Sequence, residues 1–71
     1  MQLKKIAQLY QTGKDLPLDM KEAAKYYKKA ADKGSPSAMY EYTTMLRNGS
    51  GVNENLNLAA KYFKMSAERG N

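Results

Sequence analysis

The chain repeats one pattern of 36 residues, and this duplication constrains its fold more than any other feature. Residues 23–34 read AAKYYKKAADKG and residues 59–70 read AAKYFKMSAERG, with seven of twelve positions identical. The same offset aligns the rest of the 71-residue chain without a gap. A duplicated structural unit explains this arrangement, so we predict two repeats, 1–35 and 36–71.

Each repeat contains two helical patterns. In the first, apolar and small residues recur three and four positions apart, at Leu3, Ile6, Ala7 and Tyr10 in one copy and at Met39, Tyr42, Thr43 and Leu46 in the other. The second is a stripe of small residues around one aromatic ring, formed by Met20, Ala23, Ala24, Tyr27, Ala30 and Ala31 and matched by Leu56, Ala59, Ala60, Phe63, Ser66 and Ala67. Small residues let two helices approach closely while the ring fills the space between them. We therefore predict that Tyr27 and Phe63 both lie in the core.

Glycines and capping residues mark where the helices begin and end. A glycine follows each helical pattern, where a left-handed C-cap is favoured, and Ser35-Pro36 is typical of a helix start. These signals predict four helices, at 2–12, 20–33, 36–48 and 56–69. The expected fold is all-α: an α-solenoid of two helix-turn-helix repeats.

Both copies resemble a Sel1-like repeat, a relative of the tetratricopeptide repeat, so that the resemblance covers essentially the whole chain. The resemblance rests on AMYEY at 38–42, the Gly49-Ser50-Gly51-Val52 turn and the run at 59–70. It implies a tetratricopeptide-like, right-handed superhelix that acts as an adaptor between proteins. The first copy departs from the pattern in its loop, which reads Gly13-Lys14-Asp15-Leu16 and lacks the second glycine.

The composition argues against catalysis. The chain has no cysteine and no histidine, which removes thiolate chemistry, disulfides and the commonest general base. Asp15 and Asp19 lie in one predicted turn and Glu54 lies alone in another, so the acidic residues form no convincing catalytic pair. We predict no catalytic residue, no cofactor site and no metal site, and therefore no enzyme.

The first helix of each hairpin is expected to line the concave surface of a solenoid, where extended partners bind. Turning away from the core stripe leaves one polar and aromatic face on these helices, formed by Tyr40, Thr44, Arg47 and Asn48 in the second copy and by Lys4, Gln8 and Gln11 in the first. Because tyrosine and arginine are favoured in binding hot spots, this face predicts a protein or peptide partner.

A further apolar strip lies beside the predicted core stripe of the last helix. It consists of Leu58, Tyr62 and Met65, whose counterparts in the first copy are Glu22, Tyr26 and Lys29. The strip is either a second contact site or cover for a neighbour, and we favour a neighbour because stacked hairpins usually number three or more. That neighbour would be another repeat of a longer array or a second copy in a homo-oligomer.

The alternative function is a basic surface that binds RNA or an anionic membrane. The net charge is +5, and the polar side of helix 20–33 carries Lys21, Lys25, Lys28, Lys29 and Lys33. The tyrosines are expected on the other side of the helix, so we predict no specific nucleic-acid site.

Asn48-Gly49-Ser50 fits the glycosylation sequon but is also typical of a glycine-capped helix end. No apolar run is long enough to cross a membrane, and we expect a cytoplasmic location, or a secretory lumen if the chain is a fragment of a longer one.

Overall fold

A computed structural model describes residues 2–70 and contains four helices and no strand within that range. The helices are α1 (Leu3–Thr12), α2 (Met20–Asp32), α3 (Pro36–Asn48) and α4 (Leu56–Gly70). The predicted boundaries agree with these to within one residue, and the all-α prediction is confirmed. The outermost residues of the two predicted repeats, Met1 and Asn71, lie outside the described residues.

The helix ends follow the local sequence signals. The Asp19 side chain accepts hydrogen bonds from the backbone N–H groups of Lys21 and Glu22 at 3.0 and 3.2 Å, and so caps α2. Asn55 caps α4 in the same way by accepting from the Leu58 N–H at 3.0 Å. Gly13 and Gly49 end α1 and α3 in the left-handed conformation, each with φ of 69°, which a side chain would strain.

The four helices pack in chain order, each against the next, so that α2 lies between α1 and α3. Alanines dominate α2 on its two packed sides, and they allow this close approach. Tyr27 and Met39 are the largest fully buried side chains. The core therefore runs continuously through the junction between the two repeats.

The predicted core stripe of α4 is wrong at its centre. Phe63 is 56% exposed and Leu56 is 61% exposed, whereas Tyr62 is buried and only 7% exposed. The cause is the number of neighbours: α2 packs extensively on both α1 and α3, but within residues 2–70 α4 packs extensively on α3 alone and makes a smaller contact with α2 through Tyr62. The side of the helix that Tyr27 occupies in the first repeat is therefore open in the second.

Candidate functional site

The residues predicted to bind a partner lie on the first helix of each hairpin, α1 and α3, on a surface that we call the first-helix face. On α3, Tyr40 is 57% exposed, and Arg47 and Asn48 are exposed as well. Thr44 is partly buried, and its hydroxyl donates to the Tyr40 carbonyl oxygen at 3.2 Å. Because that hydroxyl already has a partner within the helix, the predicted side chains that α3 presents to solvent are Tyr40, Arg47 and Asn48.

On α1 the predicted residues have different surroundings. Gln8 is exposed. Lys4 is partly buried, and its Nζ donates to the Ser37 Oγ at 2.9 Å, which connects α1 to the start of α3. Gln11 is partly buried, and its Oε1 accepts a hydrogen bond from the Tyr27 hydroxyl at 2.7 Å. The face therefore extends over both repeats through Lys4, but Gln11 is occupied in supporting Tyr27.

The predicted apolar strip of Leu58, Tyr62 and Met65 packs partly within the described chain, because Tyr62 is buried. Its contact with a further neighbour stays a prediction. Leu58 and Met65 are partly buried against the core. The Tyr62 ring packs edge-on against Tyr42, with ring centres 5.1 Å apart. Its hydroxyl donates to the Asp32 Oδ1 at 2.9 Å, so this side of α4 joins the second repeat to α2.

The environment of Tyr62 differs from that of its counterpart Tyr26. Tyr26 stacks on Tyr10 with ring centres 5.9 Å apart and stays partly exposed, because no helix of the described chain precedes α1. Tyr62 instead has α2 in that position. Burial, together with the hydrogen bond to Asp32, raises the pKa of Tyr62 to about 12.

A surface that the sequence reasoning did not identify lies between α3 and α4. This α3–α4 groove has a volume of about 280 Å³ and is lined by Thr43, Arg47, Leu56, Ala59, Ala60 and Phe63. Its walls are mostly apolar, and Arg47 lies at its edge with the first-helix face. The 36-residue offset is the sequence signal that could have revealed this groove. It relates the groove residues to these positions of the first repeat: Ala7, Gln11, Met20, Ala23, Ala24 and Tyr27.

The lysines of α2 form the basic surface that the alternative function requires. All five are exposed, and Lys28 makes an exposed ion pair with Asp32 at 3.5 Å. Lys25 and Lys29 lie over the Tyr26 ring, at 5.9 and 5.4 Å from its centre. These are features of a solvated helix face on which two cations pack against an aromatic ring.

Two observations limit other classes of site in the described part of the chain. Nowhere in residues 2–70 do three acidic, histidine or cysteine side chains come close enough together to hold a metal ion. Across the same residues, every helix is too short or too polar to cross a membrane.

Comparison with known proteins identifies the repeat. A family model described as Sel1 repeat matches residues 4–35 and 36–71. No protein with a curated description matches the chain. Among solved structures, a Sel1 repeat protein from Oxalobacter formigenes is 36% identical with a TM-score of 0.92, over 97% of this chain and 28% of that one.

Two further structures have the same architecture. The protective antigen c5321 of uropathogenic Escherichia coli, described as displaying an SLR fold, is 33% identical with a TM-score of 0.92, over 97% of this chain and 15% of that one. Helicobacter pylori cysteine rich protein B is 26% identical with a TM-score of 0.94, over 97% of this chain and 52% of that one. The resemblance and the solenoid fold are thus confirmed, and this chain spans about half or less of each of these proteins.

Proposed function

We propose that this chain, which belongs to the Sel1 repeat family, is a non-enzymatic segment of a protein-interaction scaffold. In this proposal the first-helix face binds an extended protein or peptide. The observation that carries this proposal is the exposure of Tyr40, a large aromatic side chain that is 57% exposed on α3. Arg47 is exposed further along the same helix. Tyrosine and arginine contribute more than most residues to interface energies, since each combines a large contact area with directional hydrogen bonding.

The contact between Lys4 and Ser37 supports a partner that extends along both repeats. It connects α1 to α3 across the first-helix face, so an extended chain could contact Gln8 and Tyr40 together. Gln11 is assigned a supporting role in this proposal, because its amide oxygen is occupied by Tyr27.

The test uses a peptide selected by the wild-type chain from a random peptide library. Tyr40→Ala is expected to weaken binding of that peptide by at least about 1 kcal/mol, or roughly fivefold, with the helical content unchanged by circular dichroism. Lys61→Ala is the matched control, because Lys61 is exposed on α4. Equal affinities for wild type and Tyr40→Ala would exclude this face as the binding surface.

A salt titration separates this proposal from binding through the lysines of α2. Phosphate-driven binding to a single-stranded RNA oligonucleotide or to phosphatidylserine vesicles should weaken steeply as salt rises, since bound counterions are released. Binding of the selected peptide should weaken only modestly, because it rests on Tyr40 and its neighbours. Tight, steeply salt-dependent RNA or vesicle binding that is lost in Lys25→Ala would favour the basic-surface function.

The α3–α4 groove is the second interaction surface of the proposal. Exposure of Leu56 and Phe63 supports a further helix in this groove, and additional repeats would supply that helix. In the first repeat, the corresponding position is occupied by α3, which packs on α2.

A further inference from the structure

The junction between the two repeats depends on a residue without a side chain. Gly51 lies in the loop between α3 and α4, with φ of 73°, directly against the carbonyl group of Met20 at the start of α2. A Cβ atom built on Gly51 would overlap that carbonyl oxygen and carbon and contact the Lys21 nitrogen. The second repeat can therefore pack on the first in this way only with glycine at this point.

The first repeat has an aspartate where the second has this glycine. By the 36-residue offset, Asp15 corresponds to Gly51 and Leu56 corresponds to Met20. Within residues 2–70 every residue with positive φ is a glycine, so the backbone at Asp15 differs from that at Gly51.

The two loops are otherwise anchored in the same way. The Asp19 N–H donates to the Tyr10 carbonyl at 3.0 Å, and the Asn55 N–H donates to the Leu46 carbonyl at the same distance. Both loops are therefore held at the start of the following helix by the same backbone hydrogen bond, whereas their backbones differ at Asp15 and Gly51.

Within residues 2–70, the first and last helices carry the two halves of a repeat junction. At one end is the α3–α4 groove, the counterpart of the surface that α3 covers in the first repeat. At the other end, Leu3, Ile6 and Leu9 of α1 are only partly buried, whereas their counterparts on α3 are buried. Two copies could therefore stack head to tail, and because such contacts do not close on themselves they would continue into a filament.

We infer that Asp15 prevents this self-stacking, so that the α3–α4 groove rejects a second copy and accepts a helical hairpin with glycine at the position of Gly51. In a stacked copy, Asp15 would meet the Leu56 carbonyl group of its neighbour. To seat there as Gly51 does, Asp15 would have to take up the left-handed backbone of Gly51, and in that conformation its Cβ atom would overlap the carbonyl group. This selection concerns the groove alone and is independent of binding at Tyr40.

The test pairs one chain that has an open groove with another that has an altered loop. The wild-type chain supplies the groove. In the D15G/F63K chain, the altered loop can pack on the wild-type groove. Its Phe63→Lys substitution places a positive charge in its own groove and so blocks further association. The complex therefore stops at 1:1. D15A/F63K is the matched control, because it removes the carboxylate but keeps the Cβ atom.

Sedimentation velocity measures complex formation in each mixture. Circular dichroism establishes that every variant is helical. We expect a 1:1 complex of wild type with D15G/F63K, with a dissociation constant at least about tenfold lower than for wild type with D15A/F63K or with itself. D15G alone should form longer assemblies that disappear in D15G/F63K.

Three outcomes would overturn the inference. They are the absence of a complex with folded D15G/F63K, a complex of equal strength with D15A/F63K, and self-association of the wild-type chain that Phe63→Lys abolishes. Loss of peptide binding in Tyr40→Ala leaves each of these results unaffected, so the two proposals fail separately.

Discussion

Tyr27 and Phe63 occupy the same position of the two repeats, 36 residues apart, but Tyr27 is fully buried and Phe63 is 56% exposed. The Tyr27 hydroxyl donates to Gln11 at 2.7 Å. Burial, with a smaller contribution from the negative charge of Glu41 on α3, raises the pKa of Tyr27 to about 12. One position thus packs the interior of the first repeat and lines an open groove in the second.

The first prediction compares truncation of these two rings. Tyr27→Ala is expected to lower the free energy of unfolding by about 3–5 kcal/mol, because it removes a fully buried ring from a small core. Phe63→Ala should lower it by less than about 1 kcal/mol, because half of that ring is already in water. Urea unfolding followed by circular dichroism measures both values.

Tyr27→Phe is the control for the ring itself. It keeps the packing and removes only the hydrogen bond to Gln11, so a loss of about 1 kcal/mol is expected. Similar losses for Tyr27→Ala and Phe63→Ala would show that the α3–α4 groove is covered in solution.

The repeat pattern predicted the helices well because their ends are determined locally. The side chains of Asp19 and Asn55 accept hydrogen bonds from the free N–H groups at helix starts, and the glycine backbone ends the helices. The sequence near each helix end is therefore sufficient to predict where that end lies. The face that α4 buries is not a local property. Tyr62 and Phe63 are adjacent aromatic residues at the edge of one apolar stripe, and only the presence or absence of a neighbouring helix decides which ring is buried.

The surroundings of the candidate binding residues are likewise not determined by the local sequence. Gln8 and Gln11 fit the polar face of α1 equally well by periodicity. The structure places Gln11 against the Tyr27 hydroxyl, a contact between residues 16 positions apart. Asp15 is the opposite case: the missing glycine is visible in the sequence, but its consequence depends on the position of Gly51 beside Met20.

The second prediction concerns the hydrogen bond from Tyr62 to Asp32. Tyr62→Phe and Asp32→Ala should each lower the free energy of unfolding by about 1 kcal/mol, because each removes this link between α4 and α2. The double variant should lose much less than the sum of the single losses, since both variants remove the same interaction. Additive losses in urea unfolding would mean that the bond contributes nothing to stability in solution.

The third prediction follows from the raised pKa values of Tyr27 and Tyr62, both about 12 against an ordinary value of 10.0. Between these values the unfolded chain loses the tyrosine protons while the folded chain keeps them. Stability should therefore fall as pH rises from 10.0 to about 12, and these two groups should add no pH dependence below that range.

Urea unfolding at a series of alkaline pH values measures this slope. Tyr62→Phe should make the slope shallower, because it removes one of the tyrosine protons that the folded chain keeps and the unfolded chain loses. Equal slopes for wild type and Tyr62→Phe would contradict the assignment.

The fourth prediction uses two glycines of one loop to isolate the contact between the repeats. Gly49 and Gly51 have similar backbone angles, with φ of 69° and 73°, so alanine should cost about 1–2 kcal/mol at either position from backbone strain alone. A Cβ on Gly49 would meet its nearest neighbours at an ordinary 3.7 Å, whereas one on Gly51 would overlap the Met20 carbonyl. Gly51→Ala should therefore cost a further 1–3 kcal/mol or so, because the second repeat must shift away from α2. Urea unfolding of both variants measures the two losses in free energy of unfolding. Equal losses would mean that the junction between the repeats tolerates a side chain at Gly51. That result would also remove the basis for the rejection of a second copy by Asp15.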